Sequence, residues 1–142
     1  MVGALNRILL VDDDKITNLI HTRQINRRNL AGNIDVTTDG RAALTYLEER
    51  FKKGVPQPEL ILLDINMPRM NGFEFLDEYA QLTKTIHDAQ SIFMLSTSTL
   101  RKDVERAREN PLVSGYQSKP MTDADLIRIV KQCQPQHMAG LG

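Results

Sequence analysis

The sequence predicts an α/β protein in which helices cover both faces of a five-stranded parallel sheet, an arrangement called doubly wound. Short apolar runs alternate along the chain with longer stretches of helical spacing, which is typical of the strand-helix units of a parallel sheet. Two of the runs, at residues 60–63 and 92–95, are apolar throughout. Because the central strands of such a sheet are buried on both faces, these two runs are expected to be central strands.

The predicted elements follow one another in strict alternation. Strands are expected at residues 7–11, 34–37, 60–63, 92–95 and 115–118, and helices at residues 15–29, 41–51, 73–82, 100–109 and 123–133. The strands are short runs that end at polar residues, whereas the helices carry apolar residues three or four positions apart. The Pro and Gly residues at 54–58 form too short a break to separate domains. We therefore expect a single domain over residues 1–142, with its core at about 7–133 and a flexible tail at 134–142.

The helices differ in how their apolar residues are arranged. In the first helix, Ile16, Leu19 and Ile20 predict the inward face, although Ile25 then points away from the sheet. The fourth helix has a narrow apolar stripe among charged residues, which predicts a surface helix. The apolar residues of the fifth helix cover an arc of about 160°, which is wider than one sheet contact needs. That arc indicates either a well-buried helix or an apolar edge used for dimerisation or partner docking.

Composition restricts the classes of function. The 142 residues include 18 Lys and Arg and 18 Asp and Glu, so the formal net charge is zero and offers no long-range field for nucleic acid or anionic lipid. The single cysteine, Cys133, cannot form an internal disulfide, which fits a reducing compartment. The first apolar run, at residues 8–11, is far shorter than a membrane span or the core of a signal peptide. We therefore expect a cytoplasmic protein that binds neither nucleic acid nor a membrane.

Polar residues follow four of the predicted strands at the point where each strand ends. They are Asp12, Asp13 and Asp14 after the first strand, Asp64 after the third, Ser96 and Thr97 after the fourth, and Lys119 after the fifth. Ligands of a doubly wound sheet bind at the carboxyl ends of its strands, so these side chains are expected to share one rim. The aspartate triplet alone would also fit a solvated strand end, and Asp14 a helix cap.

Clustered carboxylates at this rim call for a cation, because they repel one another unless they are neutralised. Oxygen ligands without a nearby histidine or thiolate favour Mg²⁺ or Mn²⁺. A carboxylate neutralised in this way can attack an electrophilic phosphorus, while an ammonium and a hydroxyl hold the oxygens of the transferred group. Asp64 is the best candidate nucleophile because a central strand delivers it alone.

These residues lie in motifs that together resemble the receiver domain of a two-component response regulator, of the stand-alone, chemotaxis-receiver-like kind. The motifs are Ile-Leu-Leu-Val-Asp-Asp-Asp at 8–14, Leu-Leu-Asp-Ile-Asn-Met-Pro at 62–68 with Asn-Gly at 71–72, Met-Leu-Ser at 94–96, and Gly-Tyr at 115–116 with Lys-Pro at 119–120. The resemblance covers the chain from residue 8 to about residue 133. It implies a flavodoxin-like sheet with the strand order 2-1-3-4-5.

The resemblance also implies the roles of the acidic residues. Asp64 corresponds to the phosphoacceptor, and Mg²⁺ or Mn²⁺ is held by Asp12, Asp13, Asp64 and the main-chain carbonyl of Asn66. Asp14 has no role in this pattern. The chain is then a phosphoacceptor switch and no enzyme beyond its own phosphorylation and dephosphorylation.

The remaining implied roles concern the phosphoryl group once it is attached. Lys119 and Ser96 bind it, and Ser96 and Tyr116 form the switch. Asn66 and Ser98 match positions that tune the lifetime of the phosphoryl group. Ser96 is chosen because it directly follows the apolar run, and a slip of one residue would give its role to Thr97. The peptide bond after Lys119 is expected to be cis.

The resemblance implies a sensor histidine kinase or a histidine phosphotransfer protein as the phosphodonor, which would dock beside the first helix and its basic residues Arg23, Arg27 and Arg28. An unknown downstream protein reads the switch, and a homodimer through the fourth and fifth helices is a further expectation. One alternative is a phosphorelay intermediate that passes the phosphoryl group to another histidine. A distant alternative is a Mg²⁺-dependent aspartyl-phosphate phosphatase similar to the haloacid dehalogenase group, whose second aspartate would stand where Asn66 does.

Overall fold

The computed structural model describes residues 4–86, 90–97 and 100–133, without the side chains of 85 and 86. Within these ranges, strands and helices alternate strictly. They are β1 (Leu5–Val11), α1 (Lys15–Arg27), β2 (Ala31–Thr37), α2 (Gly40–Lys53), β3 (Leu60–Asp64), α3 (Gly72–Ile86), β4 (Ser91–Ser96), α4 (Arg101–Glu109), β5 (Gly115–Ser118) and α5 (Asp123–Gln132). All strand pairs are parallel, in the order β2-β1-β3-β4-β5. The predicted doubly wound fold, with its five helices and this strand order, is confirmed.

Each face of the sheet has its own core because side chains alternate along a strand. Leu9 and Val11 of β1 face α2, α3 and α4, whereas Ile8 and Leu10 face α1 and α5. Every residue of β3 is buried, and so is all of β4 after its first residue. The two runs predicted as central are therefore interior strands. Their pairing aligns the carboxyl ends of β1, β3, β4 and β5 along one rim.

Several elements are longer or shorter than predicted. β1 and β2 begin at Leu5 and Ala31, before their apolar runs, because their pairing already starts there. α2 continues to Lys53 and ends at Gly54, whose φ of 69° lies in the left-handed region that favours glycine. α3 continues to residue 86 and α1 already ends at residue 27. The predicted tail at residues 134–142 lies outside the described residues.

The predicted inward face of α1 is wrong. Ile16, Leu19 and Ile20 are 69%, 50% and 51% exposed, whereas Ile25 is completely buried. The buried side of α1 also carries Asn18, His21 and Gln24. Two of these polar side chains donate hydrogen bonds to backbone carbonyls of neighbouring loops, which offsets part of the cost of burying them, although the oxygen of each amide has no partner among the described residues. The helix is therefore oriented by loop carbonyls as well as by apolar packing.

The wide apolar arc of α5 is used mainly inside the chain. Leu126, Ile129 and Val130 are fully buried, and Ile127 and Cys133 are half-buried against the same core. This arrangement agrees with the interpretation of α5 as a well-buried helix. The homodimer through α4 and α5 stays a prediction. Among the described residues, no helix has the length and apolarity that crossing a bilayer requires.

Candidate functional site

Three aspartates meet at the rim formed by the carboxyl ends of β1 and β3. Asp12 and Asp64 are 4% and 6% exposed, whereas Asp13 is exposed to solvent. One carboxylate oxygen from each of the three lies within 4.8 Å of the others. The structure therefore places together the three acidic side chains that the sequence predicts as metal ligands.

The ammonium group of Lys119 joins two of these carboxylates. Its Nζ atom lies 2.6 Å from Oδ2 of Asp12 and 3.2 Å from Oδ1 of Asp64. All three side chains are largely buried, with 6–12% exposed, so the ion pairs are poorly screened by water. The site still holds more negative than positive charge, because Asp13 adds a third carboxylate.

Burial and charge shift the pKa of the groups in this cluster. Burial, followed by the nearby charge of Asp12, raises the pKa of Asp64 to about 6, although Lys119 acts in the opposite direction. Burial alone would lower the pKa of Lys119, but its contacts with Asp12 and Asp64 outweigh that effect and raise it. Lys119 therefore stays an ammonium, while Asp64 holds its proton to a higher pH than an ordinary aspartate does.

The start of α1 holds the first two aspartates in place. The backbone N–H of Asp14 donates to Oδ1 of Asp12 at 2.9 Å, and the side-chain amide of Asn18 donates to the main-chain oxygen of Asp12 at 2.8 Å. Asp14 itself caps α1 by accepting from the N–H of Ile16 and the hydroxyl of Thr17. Asp14 thus has the capping role considered from the sequence, whereas Asn18 was missed because a polar residue inside a helix gives no site signal.

The loop after β3 fixes Asp64 by close backbone contacts. The backbone N–H of Asn66 is near enough to the Asp64 carboxylate to oppose the rise in its pKa that burial causes, and the N–H of Gly72 donates to the carbonyl of Ile65 at 2.8 Å. A Cβ atom added at Gly72 would lie 2.7 Å from the main-chain oxygen of Asp64, which is too close for any side chain. Gly72 is therefore required for this approach, which the Asn-Gly pair at 71–72 of the sequence does not by itself indicate.

The hydroxyl residues at the end of β4 point in different directions. Ser96 is fully buried, and its Oγ atom lies 3.5 Å from the side-chain amide nitrogen of Asn66, a weak hydrogen bond. Thr97 is exposed and lines a cleft that Lys119 also borders. Ser96 is therefore the hydroxyl on the Asn66 side of the rim. Ser98 lies outside the described residues.

Tyr116 is half-buried on β5 and packs against the core beneath α2, α3 and α4. It pairs with Met94, and two residues further along the strands Ser96 pairs with Ser118. Because paired residues of parallel strands face the same way, the side chains of Tyr116 and Ser96 share one face of the sheet. The peptide bond between Lys119 and Pro120 is cis, as predicted.

The donor set of this site fits a hard divalent cation. All three acidic side chains offer oxygen atoms, which Mg²⁺ and Mn²⁺ prefer. Asp13 makes no hydrogen bond or ion pair with the described residues, so its carboxylate is available. Burial and the charge of Asp12 together outweigh the single ammonium of Lys119 and raise the pKa of Asp64. The main-chain carbonyl of Asn66 stays a predicted ligand.

Comparisons with known proteins agree with this geometry. A family model for the response regulator receiver domain matches residues 8–131. The chain is 34% identical over 125 residues to the "Probable methanogenesis regulatory protein FilR2" of Methanothrix harundinacea, covering 88% of this chain and 79% of that protein. It is 31% identical over 127 residues to "Response regulator Rcp1" of Synechocystis sp., covering 87% and 83% respectively. The crystal structure of a two component response regulator from Cytophaga hutchinsonii matches with a TM-score of 0.84 and 31% identity, covering 92% of this chain and 98% of that one. The chain therefore belongs to the family of response regulator receiver domains.

Proposed function

We propose that this receiver domain accepts a phosphoryl group on Asp64 and that the phosphorylated form changes the binding of a partner protein. The observation that carries the proposal is the cluster of Asp12, Asp13 and Asp64, whose oxygen atoms lie within 4.8 Å of one another beside the ammonium of Lys119. Such an arrangement supports attack on phosphorus, because transfer depends mainly on positioning and on charge stabilisation.

In the proposed reaction, a carboxylate oxygen of Asp64 forms a bond to phosphorus. The bond from phosphorus to the donor breaks and its electron pair leaves with the donor, which is the imidazole nitrogen of a phosphohistidine or the acyl oxygen of an acyl phosphate. Lys119 then gives up its contact with Asp64 and holds an oxygen of the transferred group. Hydrolysis of the resulting acyl phosphate would reset the switch, so the chain needs no catalytic activity towards other substrates.

Asp12, Asp13 and Asp64 would hold the divalent cation, together with the main-chain carbonyl of Asn66. A bound Mg²⁺ or Mn²⁺ ion supplies positive charge to the phosphoryl oxygens. Asp12 and Asp13 offer carboxylate oxygens in the same cluster, and the added positive charge would lower the raised pKa of the buried Asp64. The proposed reaction therefore depends on a divalent metal.

The switch follows from the charge that phosphorylation adds. A phosphoryl group brings about −1.5 to −2 charges and three acceptor oxygens to the position of Asp64. Ser96 is buried at the same rim, so its hydroxyl is the nearest donor from β4 that can turn towards the group. Tyr116 shares its face of the sheet and would move with it. The proposed readout surface is therefore α4, β5 and α5.

The proposed phosphodonor is a sensor histidine kinase or a histidine phosphotransfer protein. The exposed side of α1 supports this proposal, because Ile16, Leu19 and Ile20 are at least half exposed, and Ile20 lines the same cleft as Lys119. Exposed apolar residues beside a reactive site favour protein docking. An Ile20→Lys variant should lose more rate with autophosphorylated histidine kinases as donors than with acetyl phosphate, which needs no docking surface. Equal losses with both donors would contradict this docking face.

The experiment that tests the proposed chemistry is intact-protein mass spectrometry after incubation with Mg²⁺ and acetyl phosphate. We expect the mass of one added phosphoryl group in the wild type and in Asp77→Asn, which removes an exposed carboxylate on α3. Asp64→Asn and a sample with EDTA should show no adduct. An adduct that persists in Asp64→Asn would place the reaction elsewhere and overturn the proposal.

The same experiment separates the two alternatives. A phosphorelay intermediate would return the phosphoryl group to a histidine phosphotransfer protein added after the acetyl phosphate is removed. A phosphatase would release inorganic phosphate from phosphate esters with many turnovers per protein molecule. A single turnover with acetyl phosphate and slow loss of the adduct is expected for the proposed switch.

A further inference from the structure

The segment that follows Lys119 is held by the buried side of α1. The side-chain amide of Gln24 donates to the main-chain oxygen of Met121 at 2.8 Å, across 97 positions of sequence. One turn further along α1, Arg27 donates to both carboxylate oxygens of Asp123 at 3.0 Å, and Arg28 donates to the same carboxylate at 3.2 Å. Arg27 and Arg28, which the sequence suggested as part of a docking face for the phosphodonor, therefore form ion pairs within the chain.

Of these contacts, the one made by Gln24 is buried. Gln24 and Met121 are 7% and 4% exposed, while Arg27 and Arg28 are largely exposed, so their ion pairs contribute little to stability. The Oε1 atom of Gln24 is buried and has no hydrogen-bond partner among the described residues. An apolar side chain would avoid that unsatisfied oxygen. The Gln24 amide donates to Met121, and after Arg27 and Arg28 it also helps to lower the pKa of the Asp123 carboxyl.

Backbone hydrogen bonds anchor the chain at Lys119 itself and again two residues after it. Its own N–H donates to the carbonyl of Ser96 at 2.9 Å, which anchors it to the end of β4. Two residues later, the Gln24 amide anchors the carbonyl of Met121 to α1. Between these two anchors the ammonium must reach Asp12 at 2.6 Å and Asp64 at 3.2 Å. The second anchor thus limits how far Lys119 can move from the carboxylates.

The same helix holds the other half of the site. Six residues before Gln24, the amide of Asn18 donates to the main-chain oxygen of Asp12 at 2.8 Å. Both amides are buried and both donate to a loop carbonyl. One helix therefore sets the positions of Asp12 and of the loop carrying Lys119 relative to each other.

From this arrangement we propose that Gln24 is a positioning residue for Lys119 in phosphoryl transfer. The inference rests on the proposed function of Asp64 as phosphoacceptor and adds a residue outside its motifs. Gln24 does not touch the reacting atoms, and it acts by keeping the Lys119 ammonium where it can bind the incoming phosphoryl oxygens. Small misplacements of such groups cost large factors in rate.

The test compares Gln24→Met with the wild type in the acetyl phosphate reaction. Met keeps the length and volume of the side chain but removes the donor, so we expect phosphorylation to slow by about ten-fold. The affinity for Mg²⁺, measured by titration calorimetry, should stay unchanged because the carboxylates remain in place. If Gln24→Met does not fold, Gln24→Asn withdraws the amide from Met121 while keeping a polar side chain and serves the same comparison.

Gln57 provides a matched control. Its side-chain amide donates to the main-chain oxygen of Leu47 at 2.9 Å, and its Oε1 atom is likewise buried without a partner among the described residues. Gln57 lies in the connection before β3, whereas Gln24 holds the loop after Lys119. Gln57→Met should phosphorylate at the wild-type rate. A loss equal to that of Gln24→Met would show that removing any such amide impairs the fold, and would overturn the inference.

A double-mutant cycle separates positioning from general destabilisation. In a Lys119→Met background, Gln24→Met should cause no further slowing, because the group that it positions is already gone. An equal slowing in both backgrounds would overturn the inference, and so would a wild-type rate in Gln24→Met. Failure of the wild type itself to form an adduct would instead overturn the proposed function on which the inference rests.

Discussion

Two of the clusters that join a basic side chain to aspartate differ in their balance of charge. At the rim, Lys119 lies between Asp12 and Asp64, and all three side chains are at most 12% exposed. Between β1 and β2, Arg7 of β1 binds Asp35 of β2 at 2.6 Å, and these side chains are 22% and 33% exposed. The first cluster has more carboxylates than cations, whereas the second is balanced.

The pKa values of the two aspartates shift in opposite directions. Burial and the charge of Asp12 raise the pKa of Asp64 to about 6. Burial alone would also raise the pKa of Asp35, but hydrogen bonds from Tyr46 and Arg7 outweigh it and lower that pKa. A balanced pair stabilises one fixed arrangement, whereas surplus buried charge is typical of a site that receives a ligand. The ion pair itself therefore does not mark the functional site, and the uncompensated carboxylate does.

Removing the basic side chain should give the largest difference in stability between the two clusters. Lys119→Met leaves two buried carboxylates without a counter-ion, so we expect the free energy of unfolding of the metal-free protein to fall by about 3 kcal/mol in urea denaturation. Arg7→Met should lower the free energy of unfolding by about 1 kcal/mol. That pair is more exposed, and Asp35 still accepts a hydrogen bond from the hydroxyl of Tyr46. Mg²⁺ should restore part of the loss in Lys119→Met only. A loss in Lys119→Met that Mg²⁺ leaves unchanged would contradict the role of surplus charge.

Two glycine substitutions compare the backbone around each cluster. Gly72→Ala should destabilise the protein by about 1–3 kcal/mol and slow phosphorylation, because the new Cβ would lie 2.7 Å from the main-chain oxygen of Asp64. At Gly32 on β2, the new Cβ would lie 3.4 Å from the main-chain oxygen of Asn6. Gly32→Ala should therefore be neutral or slightly stabilising and leave phosphorylation unchanged. Thermal unfolding and the acetyl phosphate reaction measure both effects, and equal effects at the two sites would refute the close approach at Gly72.

The pH dependence of stability should have opposite signs at the two aspartates. Asp64 has a raised pKa, so its contribution to the free energy of unfolding is fully present below pH 3.8, which is its ordinary pKa. That contribution is lost as the pH rises through about 6. In EDTA, Asp64→Asn should therefore gain stability relative to the wild type as the pH rises over this window. The contribution of Asp35, whose pKa is lowered, is present above pH 3.8 and is lost as the pH falls through the lowered pKa, so the deficit of Asp35→Asn relative to the wild type should be full above pH 3.8 and shrink below it. Urea denaturation at several pH values measures both trends, and parallel trends would contradict the assignment.

Tyr46→Phe should have a small effect that is confined to the cluster around Asp35. This substitution removes the hydroxyl that donates to Asp35 and should cost about 1 kcal/mol of unfolding free energy. Asp35 remains paired with Arg7, so the cluster on β2 should otherwise persist. Phosphorylation by acetyl phosphate should proceed at the wild-type rate. A slower reaction would show that the two clusters are coupled through β1, which carries Arg7 and leads directly into Asp12.

Much of the site could be predicted from the sequence because its acidic residues and Lys119 directly follow apolar runs. In a parallel sheet the ends of successive strands meet at one edge, so Asp12, Asp13, Asp64 and Lys119 could be placed together before any contact was known. The structure brings these four side chains together. Their chemical roles stay predictions until phosphorylation is measured.

The residues that support the site could not be predicted in the same way. Asn18 and Gln24 lie inside a helix and resemble ordinary solvated polar residues, and Gly72 resembles a turn residue. Their importance depends on which carbonyl each one approaches. The apolar residues of α1 were assigned to the wrong side for the same reason, because Ile16, Leu19 and Ile20 are exposed while buried amides bind loop carbonyls.

The sequence by itself therefore determined the order of the strands and helices and the chemical groups at each strand end. Both depend on local periodicity and on residue identity, which are properties of neighbouring positions. The tertiary structure alone decided which side of α1 is buried and which residues hold Asp64 and Lys119 in position. Those features depend on hydrogen bonds and close approaches between distant segments, such as the bond from Gln24 to Met121 across 97 positions, and no local pattern in the sequence encodes them.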